Sequence, residues 1–385
     1  IGDAIYGTER FVEPAGIDWR FVWHEAYVQA VSLTAFAKRV PANCDERILA
    51  EIRKKLVSDL QFAVGVNKEH IRLHKLMTDA GIPYVIIKGM ASARYYPDPV
   101  MRSMGDVDFL VNRSDVERAC RVFEENGYKR NNKKHEKHIV YYDENCHYEM
   151  HMEPAGIPKG EAGDRVRNLL QGIVENAVEH ESVYGVIRVP SHFHHGLIIL
   201  LHTCCHLTEG GIGLRQLCDW ATFVSHFSDE EFTTLFEAPL NNIGLWHLAR
   251  VLTRVCVEYL GCPERSFTGD VDKNLTEGVI RDIFKSGNLG QKNSTKVQES
   301  IFVRENGEKK SELGQIVSSV NEIVYFYWGI TRKLKFLLPV GWVFLGVRYA
   351  IRMLLGKRPK INLGEVRKRA ETRNELYEEM KLFEQ

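Results

Sequence analysis

Gly105-Asp106-Val107-Asp108-Phe109-Leu110-Val111 reads as a β-strand that carries two carboxylates one residue apart. Side chains alternate along a strand, so Asp106 and Asp108 share one face while Val107 and Phe109 point the other way, into a core. At a rise of ~3.3 Å per residue their Cα atoms lie about 6.5–7 Å apart, so the side chains can converge on one divalent cation or a close pair. Neighbouring carboxylates repel, and a half-buried strand tolerates them only with compensation. A metal ion supplies it, and metal-bound phosphate is a common reason to hold one.

Upstream, Tyr84-Val85-Ile86-Ile87 is a continuous apolar run suited to a strand buried on both faces. Lys88-Gly89 follows, leading into a short helical stretch that ends at Pro97 and Pro99. A cation at a strand-to-helix turn can meet an anion, which makes Lys88, Gly89 and the nearby Ser92 candidate phosphate contacts. Arg94 and Arg102 flank the Tyr95-Tyr96-Pro97 turn and are further candidates. Arg102 has an equal claim to pair with Asp106 or Asp108.

Downstream, Ser114-Asp115-Val116-Glu117 has the form of a capping box opening a helix that ends at Gly127. Strand-like runs at 138–142 and 147–152 flank a hairpin turn at Asp143-Glu144-Asn145. The second run places His147, Glu149, His151 and Glu153 on one face. Beside the first strand, Glu149 becomes a third acid, and His151 is either a substrate contact or a packed histidine. Three carboxylates suit Mg²⁺ or Mn²⁺. Two such ions clamp the attacking and leaving oxygens of a phosphoryl displacement, and the third acid can take the proton of an attacking hydroxyl.

Helical periodicity dominates elsewhere. Apolar stripes predict helices over 21–37, 48–60 and 68–80, then over 197–206, from 214 and over 245–259, and the tail over 365–383 reads as a charged helix. Residues 262–307 read as loop with one short helix near 279–284. His192, His194, His195, His202 and His206 cluster with Cys204 and Cys205, as a structural zinc site or as satisfied histidines facing a cleft. The basic run over 129–137 lacks interleaved aromatics and reads as a solvated loop rather than a nucleic-acid contact.

Composition narrows the function classes. In 385 residues, 51 Lys and Arg balance 51 Asp and Glu, so no global field favours nucleic acid. Eight scattered cysteines without a CxxC pair read as reduced thiols, hence a cytoplasmic chain. Residues 331–360 carry eight Lys and Arg and no acid, around an apolar stretch over 336–355. Arg348 and Arg352 disfavour a spanning helix. The stretch reads first as a helix packed on the domain with a basic rim, and second as peripheral membrane contact through 336–360.

The residues around the two acids resemble those of the uncharacterised bacterial nucleotidyltransferase family of the polymerase-β-type superfold. The resemblance is carried by Val85-Ile86-Ile87-Lys88-Gly89, Arg94-Tyr95-Tyr96-Pro97, Arg102, the Gly105–Val111 run and Glu149-Met150-His151. It extends to His202-Thr203-Cys204-Cys205-His206, to the segment from Leu214 to Trp220, to Ser286-Gly287-Asn288-Leu289-Gly290 and to the run from Leu337 to Trp342. It implies an α+β fold: a small mixed-sheet core over 81–158, embedded between helical segments over 1–80 and 159–310, with a basic helical segment over 311–385. It implies that Asp106, Asp108 and Glu149 bind Mg²⁺ or Mn²⁺ and catalyse transfer of a nucleoside monophosphate from a nucleoside triphosphate, ATP first, with pyrophosphate leaving. The acceptor is a hydroxyl on a small molecule or protein rather than nucleic acid. Lys88, Gly89, Ser92, Arg94, Arg102 and His151 are the expected nucleotide contacts. The superfold usually carries Gly-Ser where this chain has Lys88-Gly89. A degenerate nucleotide- or partner-binding protein of the same fold is the alternative.

Overall fold

Five short strands form one mixed sheet in the computed structural model, which describes residues 1–385 apart from 38–40, 132–137, 145, 293–311, 356–362 and 385. They are β1 (Tyr84–Ile86), β2 (Val107–Val111), β3 (Lys129–Arg130), β4 (His138–Tyr142) and β5 (His147–His151), in the order β1-β2-β5-β4-β3. β1 runs antiparallel to β2, β2 runs parallel to β5, and β4 pairs antiparallel with β5. The architecture is the α+β arrangement that the sequence predicts, a small mixed sheet within a largely helical chain.

Four helices precede the sheet: α1 (Gly2–Tyr6), α2 (Trp19–Val28), α3 (Ser32–Phe36) and α4 (Glu46–Asp79). The stripe over 21–37 forms two helices rather than one, because Ala30 turns the chain at φ 55°. The stripes over 48–60 and 68–80 instead merge into the single helix α4. The residues between them keep the period, bury Ala63 and Val66, and contain no proline to break the run. α5 (Met90–Ala93) follows β1, and α6 (Val116–Glu125) follows β2. The expected capping box is not formed. Arg113–Asp115 make a 3₁₀ turn, so Ser114 lies inside the lead-in and Asp115 occupies the cap position without a side-chain cap bond.

After the sheet come α7 (Gly160–Leu169), a hairpin of β6 (Val178–Ser182) and β7 (Gly185–Val189) that the periodicity did not disclose, and α8 (His192–Glu209). Then follow α9 (Leu214–Val224), α10 (Asp229–Ile243), α11 (Trp246–Leu260) and α12 (Lys273–Ser286). α12 is longer than the expected short helix, and the rest of the expected loop, from 293, lies outside the described residues. Of the predicted basic loop over 129–137, Lys129 and Arg130 form β3 and 132–137 lie outside them. α13 (Glu312–Tyr327), α14 (Leu338–Leu354) and α15 (Leu363–Glu379) complete the chain.

The sheet separates two cores. On one face, Ile86, Val107, Phe109 and Val111 pack with Phe123 of α6 and with Val66, Leu73 and Met77 of α4. On the other, Val85, Ile87 and Leu110 join the core of α8, α9, α10 and α11. Alternation along β2 therefore puts Asp108 on the side of Leu110, against the helical half.

α14 differs from the first sequence expectation, a helix packed on the domain. Gly341 is its one buried residue, set against Val324 of α13. Val340, Val343, Val347, Ile351 and Leu354 recur at helical spacing and are 51–83% exposed. The stretch Lys335–Leu354 is long and apolar enough to cross a membrane by length and composition alone.

Candidate active site

β2 and β5 lie side by side, in register, with Asp108 opposite Glu149. Both carboxylates therefore leave the sheet on the same face, and Asp106 joins them from the residue before β2. Lys88 and Gly89 arrive from the end of β1. α8 and α9 form the facing wall. The result is a cavity of about 240 Å³ whose lining includes Lys88, Gly89, Ser92, Asp106, Asp108 and Glu149 on the sheet side, and His202, His206 and Arg215 on the helical side.

Asp108 is almost fully buried and doubly held. Lys88 Nζ donates to its Oδ1 at 2.8 Å, and His151 Nε2 donates to the same oxygen at 2.9 Å. Burial works against this carboxylate, but Lys88 and His151 overcome it and hold its pKa well below the usual range. The imidazole also lies 3.5 Å from Glu149 Oε2. Burial disfavours the imidazolium, yet the bonds to Asp108 and Glu149 raise it above an ordinary histidine. His151 does not line the cavity. It orients the two paired acids from behind.

Asp106 is the exception among the acids. Among the described residues no hydrogen bond or ion pair holds it. Burial, then repulsion from Asp108 and Glu149, pushes its pKa up to about 6, with Lys88 and Arg215 acting in the opposite sense. A half-buried carboxylate beside two others, without a proton donor of its own, is what a divalent cation would relieve. Asp108, Glu149 and His151 bring one ligand atom each within 4.8 Å of one another, the group among the described residues able to hold a metal. His151 Nε2 is committed as a donor to both acids in this arrangement. The oxygens of Asp106, Asp108 and Glu149 are therefore the better donor set for a hard cation.

The turn at Lys88-Gly89 has its own logic. Gly89 adopts φ 55° and ψ −120°, where side chains are strained. A Cβ there would come 2.3 Å from Nε2 of His70, a fully buried histidine of α4. The His70 ring is fixed by its Nδ1 on Val66 O at 2.9 Å. Glycine at this position satisfies both the backbone and the packing.

The remaining expected contacts divide. Ser92 lines the cavity. Arg102 borders it, but its guanidinium is bidentate on Asp219 of α9, both bonds at 2.8 Å, and not on Asp106 or Asp108. Tyr96 also donates to Asp219, at 2.9 Å. Arg94 lies outside the lining and donates to the Tyr95 hydroxyl and Pro190 O. His202 and His206 face the cavity and share one proton between their Nε2 atoms at 2.8 Å.

His70, Arg215 and Asp219 were absent from the residues expected at the site. A signal existed for each: His70 occupies a core position between Val66 and Leu73 on α4, and Arg215 and Asp219 sit four apart in an otherwise uncharged helix. Charged residues in a buried helix are the informative kind.

The family described as uncharacterised nucleotidyltransferase matches residues 15–261, which include the whole sheet, the three acids and both helical walls of the cavity. No curated protein matches the chain.

Proposed function

This chain belongs to the family of uncharacterised nucleotidyltransferases, and on that premise we propose that it transfers a nucleoside monophosphate from a nucleoside triphosphate to an acceptor hydroxyl. The observation that carries the reading is the in-register pair Asp108 and Glu149 with unpartnered Asp106 beside them. These three would hold a divalent ion, Mg²⁺ or Mn²⁺. When bound, the ion would polarise the α-phosphate and neutralise charge on the leaving pyrophosphate. The acceptor oxygen bonds to the α-phosphorus, the bond from that phosphorus to its β-bridging oxygen breaks, and pyrophosphate departs. Glu149, more open than Asp108, is placed to receive the hydroxyl proton. Lys88 neutralises Asp108 until the ion arrives, and His151 keeps the two paired acids aligned. ATP is the first donor to test. The cavity suits an acceptor of modest size, a small molecule or a protein side chain.

A second reading follows from Lys88. Its ammonium already compensates Asp108, so the fold can bind a nucleotide or a partner without a metal. Calorimetric titration with Mn²⁺ and each nucleoside triphosphate, followed by pyrophosphate release with an acceptor panel, separates the two. The transfer reading expects Mn²⁺-dependent nucleotide binding and release. Nucleotide binding indifferent to Mn²⁺ leaves the second reading, and no nucleotide binding by the wild type removes transfer and leaves only a partner as the ligand.

We also infer that α14 lies along an anionic membrane surface, the cytoplasmic face if the chain is cytoplasmic. The support is the exposed apolar stripe from Val340 to Leu354 joined to Arg332, Lys333, Lys335, Arg348 and Arg352 with no acid among them. Each buried Val, Ile or Leu contributes about 1.5–3 kcal/mol, and each cation about 1 kcal/mol near anionic lipid. The protein should float with phosphatidylserine-containing liposomes and not with phosphatidylcholine alone. Val343→Asp/Val347→Asp should remove flotation while leaving nucleotide binding intact. Absence of flotation with anionic vesicles, or retention through alkaline carbonate extraction, overturns surface attachment.

A further inference from the structure

A triphosphate tail carries about four negative charges, and a single divalent ion leaves roughly half of them for the protein. The basic residues expected to meet them are engaged elsewhere. Lys88 is held by Asp108, Arg102 by Asp219, and Arg94 lies outside the cavity on Tyr95 and Pro190. The lining contains one further arginine, Arg215, in the first turn of α9. Its Nε is buried and has no hydrogen-bond partner, and among the described residues no ion pair reaches its guanidinium. It is near enough to Asp106 to bias that carboxylate, yet the two do not pair.

A half-buried arginine whose buried Nε has no acceptor, lining a cavity beside carboxylates it does not pair with, marks a place for an anion. Three features agree on the kind of anion. Arg215 enters from the wall opposite the carboxylates, so an ion on the acids and a group on Arg215 would bracket one ligand. The N-terminal end of α9, an eleven-residue helix, adds positive potential at the same spot. His202 and His206, one turn apart on α8, add hydrogen-bonding capacity beside it, and burial, then Lys88 and His206, keep His202 neutral.

We propose that Arg215, flanked by His202 and His206, is the polyphosphate-binding subsite of this cleft and takes the β- and γ-phosphates of the donor nucleotide. The helical half then supplies the phosphate grip that the Lys88-Gly89 turn does not. This rests on the transfer reading only for the identity of the ligand; a pyrophosphate site on Arg215 is testable without it.

The experiment measures affinities of the full chain for ATP, AMP and inorganic pyrophosphate in Mn²⁺, for wild type, Arg215→Gln and Arg215→Lys. The expected result is a loss of at least tenfold on ATP and pyrophosphate for Arg215→Gln, no change on AMP, and partial recovery in Arg215→Lys, whose ammonium cannot reproduce the bidentate contact. Unchanged ATP and pyrophosphate affinities overturn the subsite. So does an equal loss on AMP, which would mean a structural role. Wild type that binds pyrophosphate through Arg215 but does not bind ATP keeps the subsite and removes the transfer reading. Wild type that binds neither removes both.

Discussion

Asp106→Asn should abolish the proposed transfer and stabilise the protein at pH 8, whereas Asp108→Asn should abolish that transfer and destabilise the protein. Both variants would remove an oxygen from the proposed metal-binding set, so each should lower pyrophosphate release by about 10³-fold or more. Stability separates them because the two acids are held so differently. Burial and its neighbours push the Asp106 pKa from 3.8 to about 6. The fold therefore favours protonated Asp106, and that stability is complete below the ordinary carboxylate value and lost as pH rises through 6. At pH 8 the ionised group costs up to about 3 kcal/mol, from a shift of roughly two units. Asparagine removes that cost, so the variant melts higher at pH 8 and level with wild type near pH 4. Asp108 has the opposite sign. Lys88 and His151 hold its pKa well below the usual range, so its contribution is present above that range and lost on acidification. Asparagine keeps an acceptor oxygen but no charge, so the Lys88 ammonium and the His151 ring lose the anion they pair with, at about 3 kcal/mol or more. Melting in EDTA at pH 4, 6 and 8 checks both signs. An Asp106→Asn protein that melts lower than wild type at pH 8 would make Asp106 structural.

Gly89→Ala should be strongly destabilising for a single added methyl. The backbone there lies at φ 55°, which costs a non-glycine residue of order 1–3 kcal/mol. The new Cβ would also sit 2.3 Å from Nε2 of a ring that has no room to retreat. Together these should cost about 3–5 kcal/mol, a large share of the ordinary stability of a folded chain. Loss of soluble protein, or a melting temperature lowered by several degrees, is the readout. Gly89→Ala/His70→Ala should recover the packing part and leave the backbone part. A Gly89→Ala protein as stable as wild type would show that α4 and the turn can separate freely.

How much of this was legible from the chain depends on the distance over which each feature is decided. The paired acids were, because strand alternation is local: Asp106, Asp108 and Glu149 needed only a period of two and one correct neighbour. The fold class followed from the same local patterns. Arg215 lies in the segment from Leu214 to Trp220 and shows no role there, because its meaning depends on a cavity wall that comes together from residues far apart in the chain. The sequence offers Arg102 phosphate or the two strand acids, and not Asp219, for a similar reason: Asp219 is its partner only after α9 packs. The capping box at Ser114 failed through a one-turn shift, as a 3₁₀ lead-in took over the cap. The β6–β7 hairpin escaped because β6 is largely exposed and carries little apolar signal. α14 was expected to pack, since apolar content alone does not say which surface meets it.

α4 has a consequence for how such a protein can be inherited. The helix is about 50 Å long at 1.5 Å per residue. Ile52, Leu56 and Ala63 serve the helical core, Val66, Leu73 and Met77 serve the sheet core, and His70 stands under Gly89. A gene fusion that carried residues 81–158 alone into a new host would transmit the acids without the rod that backs their sheet. The carboxylates, the turn and the facing wall are therefore a unit of heredity larger than the sheet that displays them. Shuffling within this lineage should respect the start of α4 rather than the start of β1.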